Sequence, residues 1–140
     1  MHVPVVNYVA VLVSGIALFL LGGVWYSRAL FATRWIALQG RSEEEMKANA
    51  APMGLLLVGA FVCALLTSWV MAVILNHFRP LTLMKGIEVG IACWLGFAGA
   101  TSFSTASFSC KPKLLWAIDT GYNLVGFAIA GAIIGWWPWA

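Results

Sequence analysis

Charge is scarce in this chain. Eight lysines and arginines with five aspartates and glutamates make 9% of its 140 residues, where a soluble domain carries about a quarter. A chain so poor in charge cannot cover its own surface with polar groups, so lipid must cover it instead. The net charge of +3 is too small and too scattered for a nucleic-acid footprint. Cysteine occurs three times and histidine twice. Cys63, Cys93 and Cys110 form no spaced pair and read as free thiols that pack like small hydrophobes. His-x-x-x-His, Gly-x-Ser-x-Gly and phosphate-loop patterns are all missing. The chain therefore reads as a non-enzyme with no resident metal or cofactor.

Apolar length is what it has. Hydrophobic residues make up 62% of the chain, and mean hydropathy is +0.92. Four long apolar runs cover roughly residues 5–26, 52–77, 86–108 and 114–137. At 1.5 Å per residue the last reaches about 36 Å as a helix, more than the ~30 Å hydrocarbon core of a bilayer. The expected fold is all-α: one integral membrane domain over residues 1–140, built as a bundle of four transmembrane helices. The first run lacks a basic leader and is longer than a signal peptide's apolar region, so it reads as a span.

Residues 28–51 form the longest polar stretch. Phe31, Trp35 and Leu38 recur at i, i+4 and i+7 among Arg28, Arg34 and Arg41, which predicts a short amphipathic helix on the membrane surface. Gly40 would end it. Ser42 stands three residues before Glu45, a capping-box spacing, and Lys47 lies four after Glu43. Three consecutive carboxylates on a helix point in different directions, so Glu43 to Glu45 read as a solvated helix start rather than a metal site.

Each span carries small residues at helical spacing, the pattern by which membrane helices approach one another. The rows are Asn7, Ala10, Ser14 and Ala17; Gly59 or Ala60, Cys63 or Ala64, and Thr67 or Ser68; Ala92, Gly96 and Ala100; and Gly126 with Ala130 and Gly131 with Gly135. The short connection between the second and third spans predicts antiparallel neighbours. Arg28, Arg34, Arg41, Lys47, Lys111 and Lys113 fall in the first and third connections, and only Arg79 and Lys85 at the other end. The positive-inside rule then places those connections in the cytoplasm and both termini outside. The membrane expected is the bacterial inner one.

Depth sorts the polar residues. Trp25, Tyr26, the hydroxyls of residues 101–109, Asp119, Tyr122 and Asn123 share the cytoplasmic level. Asp119, Tyr122 and Asn123 are spaced to face one way, and Asp119 lies about five residues, ~8 Å, inside its run. A carboxylate there needs a partner or a proton; Tyr26, Ser104, Thr105 and Lys113 are candidates. It either pins the packing or serves a ligand or proton. His77 and Glu88, at the other level, could pair; a metal there would also need His2 and a further ligand. Serine and aspartate share one depth and the histidines occupy the other, which excludes a Ser–His–Asp arrangement. Trp25, Trp35, Trp116, Trp136, Trp137 and Trp139 fit interfacial belts. Trp69 and Trp94 lie deeper, as packing or as the wall of a site for an apolar ligand such as lipid, quinone or pigment.

At Gly22–Gly23–x–Trp25–Tyr26–Ser27, and at Ile118–Asp119–x–Gly121–Tyr122–Asn123–Leu124, the chain resembles a family of small membrane proteins, the domain-of-unknown-function family 1761. The similarity extends over essentially the whole chain, through Glu44–Glu45–Met46 and the glycine-rich last span. It implies the four-span architecture and supplies no function. It also implies departures: histidine in many relatives where Asn123 stands here, and acidic residues near Ser109 and Cys110.

Three functional readings follow. The leading one is an interaction protein that self-associates or serves as an accessory subunit of a larger membrane complex. The second is a homo-oligomeric carrier or channel with a polar step at Asp119, Tyr122 and Asn123. The third is a binder of an apolar cofactor or lipid.

Overall fold

The computed structural model describes residues 5–138. Its helices are α1 (Tyr8–Trp25), α2 (Ala32–Leu38), α3 (Glu43–Asn49), α4 (Met53–Leu75), α5 (Leu83–Cys93), a π-helical segment (Trp94–Gly99), α6 (Ala100–Phe108) and α7 (Lys113–Trp136). Four stretches are long and apolar enough to cross a membrane: α1, α4, the continuous Leu83–Phe108, and α7. The protein is an integral membrane bundle of four helices. His2 and Trp139 lie outside the described residues.

Local chemistry sets the boundaries. The Asn7 side chain accepts from the N–H groups of Val9 and Ala10, so α1 starts later than the apolar run does. Gly40, at φ +69°, stops the stretch that contains α2. Ser42 Oγ accepts from Glu45 N at 3.1 Å and opens α3, where Lys47 and Glu43 stand 3.5 Å apart. The polar connection thus holds two short helices, α2 ahead of Gly40 and α3 opened by Ser42. Thr82 Oγ1 caps Lys85 N at 3.1 Å, which starts the third span three residues before its apolar run. Cys110 takes the left-handed φ of +56°. Lys111 N then bonds the Ala106 carbonyl at 3.0 Å and Cys110 N the Ser107 carbonyl at 3.3 Å, a Schellman closure with cysteine in the usual glycine position.

The third span packs along α7, α7 against α1, and α1 against α4. The second and third spans, expected as neighbours, barely touch. The reason is α5's glycine face, which lies on α7 instead. A Cβ on Gly86 would overlap the Gly131 carbonyl, one on Gly131 the Gly86 carbonyl, and one on Gly90 the Phe127 carbonyl. Only glycine lets two backbones come this close. The π segment keeps that face in register. Gly86, Gly90 and Trp94 step by four toward α7, and the next buried residue is Gly99, five further on. Ser102 and Ala106 then continue toward α7, so one extra residue in the turn resets the phase.

Between α1 and α4 the contact is small and polar. Ser68 donates to Ser14 at 3.0 Å, and both are fully buried. Ala10, Met71, Ala72, Leu75, Ala130 and Ile134 close the core around them. By contrast, residues 51–60, which include the first turns of α4, are exposed on every side.

Candidate functional site

Asp119 sits near the start of α7, at the end of the bundle that carries the α1–α4 and α6–α7 connections. Its carboxylate gathers three segments of chain. Tyr26 OH donates to Oδ1 at 2.7 Å, Trp35 Nε1 donates to the same oxygen at 3.0 Å, and Lys111 Nζ lies 3.3 Å from Oδ2. Tyr26 was among the partners expected; Trp35 and Lys111 take the places expected for Ser104, Thr105 and Lys113. Trp35 reaches Asp119 because α2 folds back on α7 instead of turning its aromatic face wholly to lipid. Lys111 reaches it because the left-handed Cys110 reverses the chain. Tyr26 lies just past the end of α1. Burial, and then its bond to Asp119, pushes its phenol well above the ordinary value, so it stays a donor.

The rings around this carboxylate interlock. Tyr26 meets Trp35 edge-on at 5.9 Å and Tyr122 at 5.7 Å between centroids. Tyr122 OH donates to the Leu18 carbonyl at 3.1 Å, and Trp25 Nε1 to the Ile118 carbonyl at 2.9 Å. Helix carbonyls have a second lone pair and accept such bonds without losing their own. A Cβ on Gly22 would lie 3.2 Å from Tyr122 OH, and one on Gly121 3.2 Å from the Trp25 ring. The two sequence motifs at residues 22–27 and 118–124 are therefore the two halves of one contact.

On the opposite flank of α7, Trp116 Nε1 donates to Ser102 Oγ at 2.9 Å, and Trp94 Nε1 to the Thr120 carbonyl at 3.0 Å. Beyond them a cleft of about 690 Å³ opens between α6 and α7. Its walls include Thr101, Ser102, Thr105, Ser109, Lys111, Trp116, Asp119 and Asn123. Asn123 is exposed and also borders a smaller cavity of about 210 Å³ facing α4, with Cys63, Thr67 and Tyr122. Asp119, Tyr122 and Asn123 are thus split: two bond into the α1 side and the third stands between two clefts. As expected for hydroxyls in a helix, Thr101, Thr105 and Ser107 bond back to carbonyls four residues earlier.

Other expected groupings come apart. Trp94 reaches across to α7 and covers Gly99, whereas Trp69 packs on the core of α1, α4 and α7. They do not form one wall, because the helices that carry them barely meet. His77 Nδ1 faces its own Val73 carbonyl at 3.0 Å, and Glu88 pairs with Lys85 at 3.5 Å, so His77 and Glu88 do not pair with each other. Trp25, Trp35 and Trp116 spend their N–H groups inside the bundle and are not simply belt residues; Trp137 packs against the core. No group of three His, Cys, Asp or Glu side chains among the described residues could hold a metal ion.

Fold and centre together define a small integral membrane bundle in which the Asp119 carboxylate ties the first connection to the last helix. The family model described as a protein of unknown function (DUF1761) matches residues 9–135, and the chain belongs to that family. No curated protein and no solved structure matches it.

Proposed function

We infer that this chain is an interaction subunit of the membrane, without catalytic chemistry of its own. It docks through the exposed small-residue flank of α4, beside the opening toward α7, onto a second copy or onto a larger membrane-protein complex. The positive connections orient it with loops one and three in the cytoplasm of a bacterial inner membrane and both termini outside.

One contrast supports this reading. Gly86, Gly90 and Gly131 are used inside the chain, where backbones nearly touch. Gly54 and Gly59 on α4 have nothing within 4 Å of where a Cβ would stand. Each such glycine costs its helix about 0.5–1 kcal/mol relative to alanine and returns nothing within this chain. Gly59, Ala60 and Cys63 lie exposed beside one another on that face, the kind of surface that lets another helix approach closely. The carrier reading draws less support, because Asp119 Oδ1 and the Tyr122 hydroxyl are spent on internal bonds.

Cys63 offers a native test, being an exposed thiol on this face. Mild oxidation in intact membranes should give a disulfide-linked dimer that Cys63→Ala abolishes and Cys110→Ala does not. If the occupant is another protein, native mass spectrometry after gentle extraction should retain it, and Gly59→Leu should release it. A monomer with no bound subunit and no cross-link refutes the reading.

A further inference from the structure

We propose that the cleft between α6 and α7 binds the zwitterionic headgroup of an aminophospholipid, with the ammonium on Asp119 and the phosphate on Lys111.

Three observations carry this. First, the cleft is rich in acceptors. Thr101 and Thr105 spend their hydroxyl protons on the Phe97 and Thr101 carbonyls, so each has oxygen lone pairs left to accept with. Asp119 Oδ1 takes two donors, whereas Oδ2 takes Lys111 alone and has room for a second. A primary ammonium brings three donors to such a wall.

Second, the cleft already holds an ammonium, its own. Lys111 Nζ sits 3.3 Å from Oδ2 as a tethered occupant, and both side chains are partly exposed, at 38% and 34%. A ligand that displaces it must leave no charge unpaired. An anion alone would stand against Asp119, and a cation alone against Lys111. A ligand carrying both signs exchanges one ion pair for two: its ammonium takes the place of Nζ on Oδ2, and the freed Lys111 takes its phosphate. Such charge-assisted bonds are the strong ones at a partly desolvated site.

Third, Phe97, Ala106 and Trp116 supply apolar wall between two membrane-spanning helices. Acyl chains attached to the headgroup can continue along them into lipid, which favours a lipid over a soluble zwitterion.

The test is native mass spectrometry of the delipidated full chain. It would be titrated with phosphatidylethanolamine, phosphatidylcholine and phosphatidylglycerol of identical acyl chains. Phosphatidylethanolamine should be retained at least tenfold better than either other lipid: choline has no N–H to give, and glycerol has no positive charge. Lys111→Gln, an exposed change on a connection, should weaken retention of phosphatidylethanolamine at least threefold, because the phosphate loses its partner. Asp119→Asn, which keeps an acceptor for Tyr26 and Trp35, removes the ammonium's partner and should cut the preference to threefold or less. Equal retention of the three lipids overturns the proposal, as does an unchanged preference in Asp119→Asn or undiminished retention in Lys111→Gln. Competition by free phosphoethanolamine at concentrations equal to the lipid overturns the assignment to lipid. None of these outcomes depends on whether α4 docks a partner.

Discussion

The bonds to Asp119 make a sharp prediction, because two of them end on one oxygen. Tyr26→Phe and Trp35→Phe each remove a donor and keep the ring. A hydrogen bond to a charged group contributes roughly 1.5–3 kcal/mol, and partial exposure of this centre lowers that to about 1–2 kcal/mol for each variant. Either variant alone leaves Oδ1 with one donor. The double variant leaves it with none at a depth where water is scarce, so its cost should exceed the sum of the singles by about 0.5–1 kcal/mol. Equilibrium unfolding in mixed micelles on addition of dodecyl sulfate, followed by tryptophan fluorescence, measures all four corners of the cycle. A second readout separates the two donors. Trp35 is the bond that ties α2 to α7. Trp35→Phe should therefore speed amide exchange across Ala32–Leu38, with Tyr26→Phe changing it less.

The pH dependence has a definite sign. The Tyr26 phenol is raised in the folded chain from its ordinary 10.0. A group raised on folding contributes stability that is fully present below the unfolded value and is lost only as pH climbs through the folded one. The cost of Tyr26→Phe should thus be equal at pH 7 and pH 9. Single-variant costs below about 0.5 kcal/mol, strict additivity, or a cost that fades between those pH values would refute the account of Asp119 as a pin.

Two further outcomes test the packing. Gly131→Ala drives a methyl into the backbone carbonyl of Gly86, which no rotamer relieves, and should cost at the upper end of the 1–3 kcal/mol typical of overpacking. Gly96→Ala meets nothing within 4 Å and should be neutral or gain up to about 1 kcal/mol; equal effects in the same unfolding titration would contradict the geometry. Ser14→Ala leaves the buried Ser68 hydroxyl without its acceptor and should cost about 1–2 kcal/mol, whereas the double alanine variant recovers most of that loss.

Much of the fold was legible because membrane insertion is written in length and polarity, which are local properties. The four spans, the stop at Gly40, the Ser42 cap and the bonding of the α6 hydroxyls all follow from nearest neighbours along the chain. The interhelical partners do not. Ala92, Gly96 and Ala100 have the right spacing, but Ala92, Gly96 and Ala100 are exposed, and the working face of the third span is Gly86 and Gly90. Spacing says that a face exists; only the neighbour decides whether it is used. The π turn is equally hidden, since it shifts the phase of a pattern otherwise read at a fixed period. At Asp119 the tyrosine was readable from depth. Trp35 was masked by an amphipathic pattern that equally suits lipid, and Lys111 by a left-handed residue that is not glycine. One signal was present: a tryptophan that leaves water carries an N–H that must go somewhere.

The distribution of contacts bears on function more than any single residue does. At the terminus end α5 and α7 are joined backbone to backbone, and in the middle α1 and α4 share a buried hydroxyl pair. At the loop end the hold changes character: side-chain bonds around Asp119 fasten α1, α2 and the Lys111 turn to α7, while the first turns of α4 stand apart. A bundle closed at one end and open at the other is poorly suited to forming a sealed pore alone, because the opening between α4 and α7 would admit lipid. It is well suited to present two surfaces at one level, a small-residue face on α4 and a charged cleft beside α6. A partner on the first and a lipid headgroup in the second would meet the same helix, α7, on its two flanks, with Asn123 between them. A measured change in lipid preference when α4 is blocked by Gly59→Leu would show that the two sites communicate through it; an unchanged preference would show that the Asp119 centre isolates them.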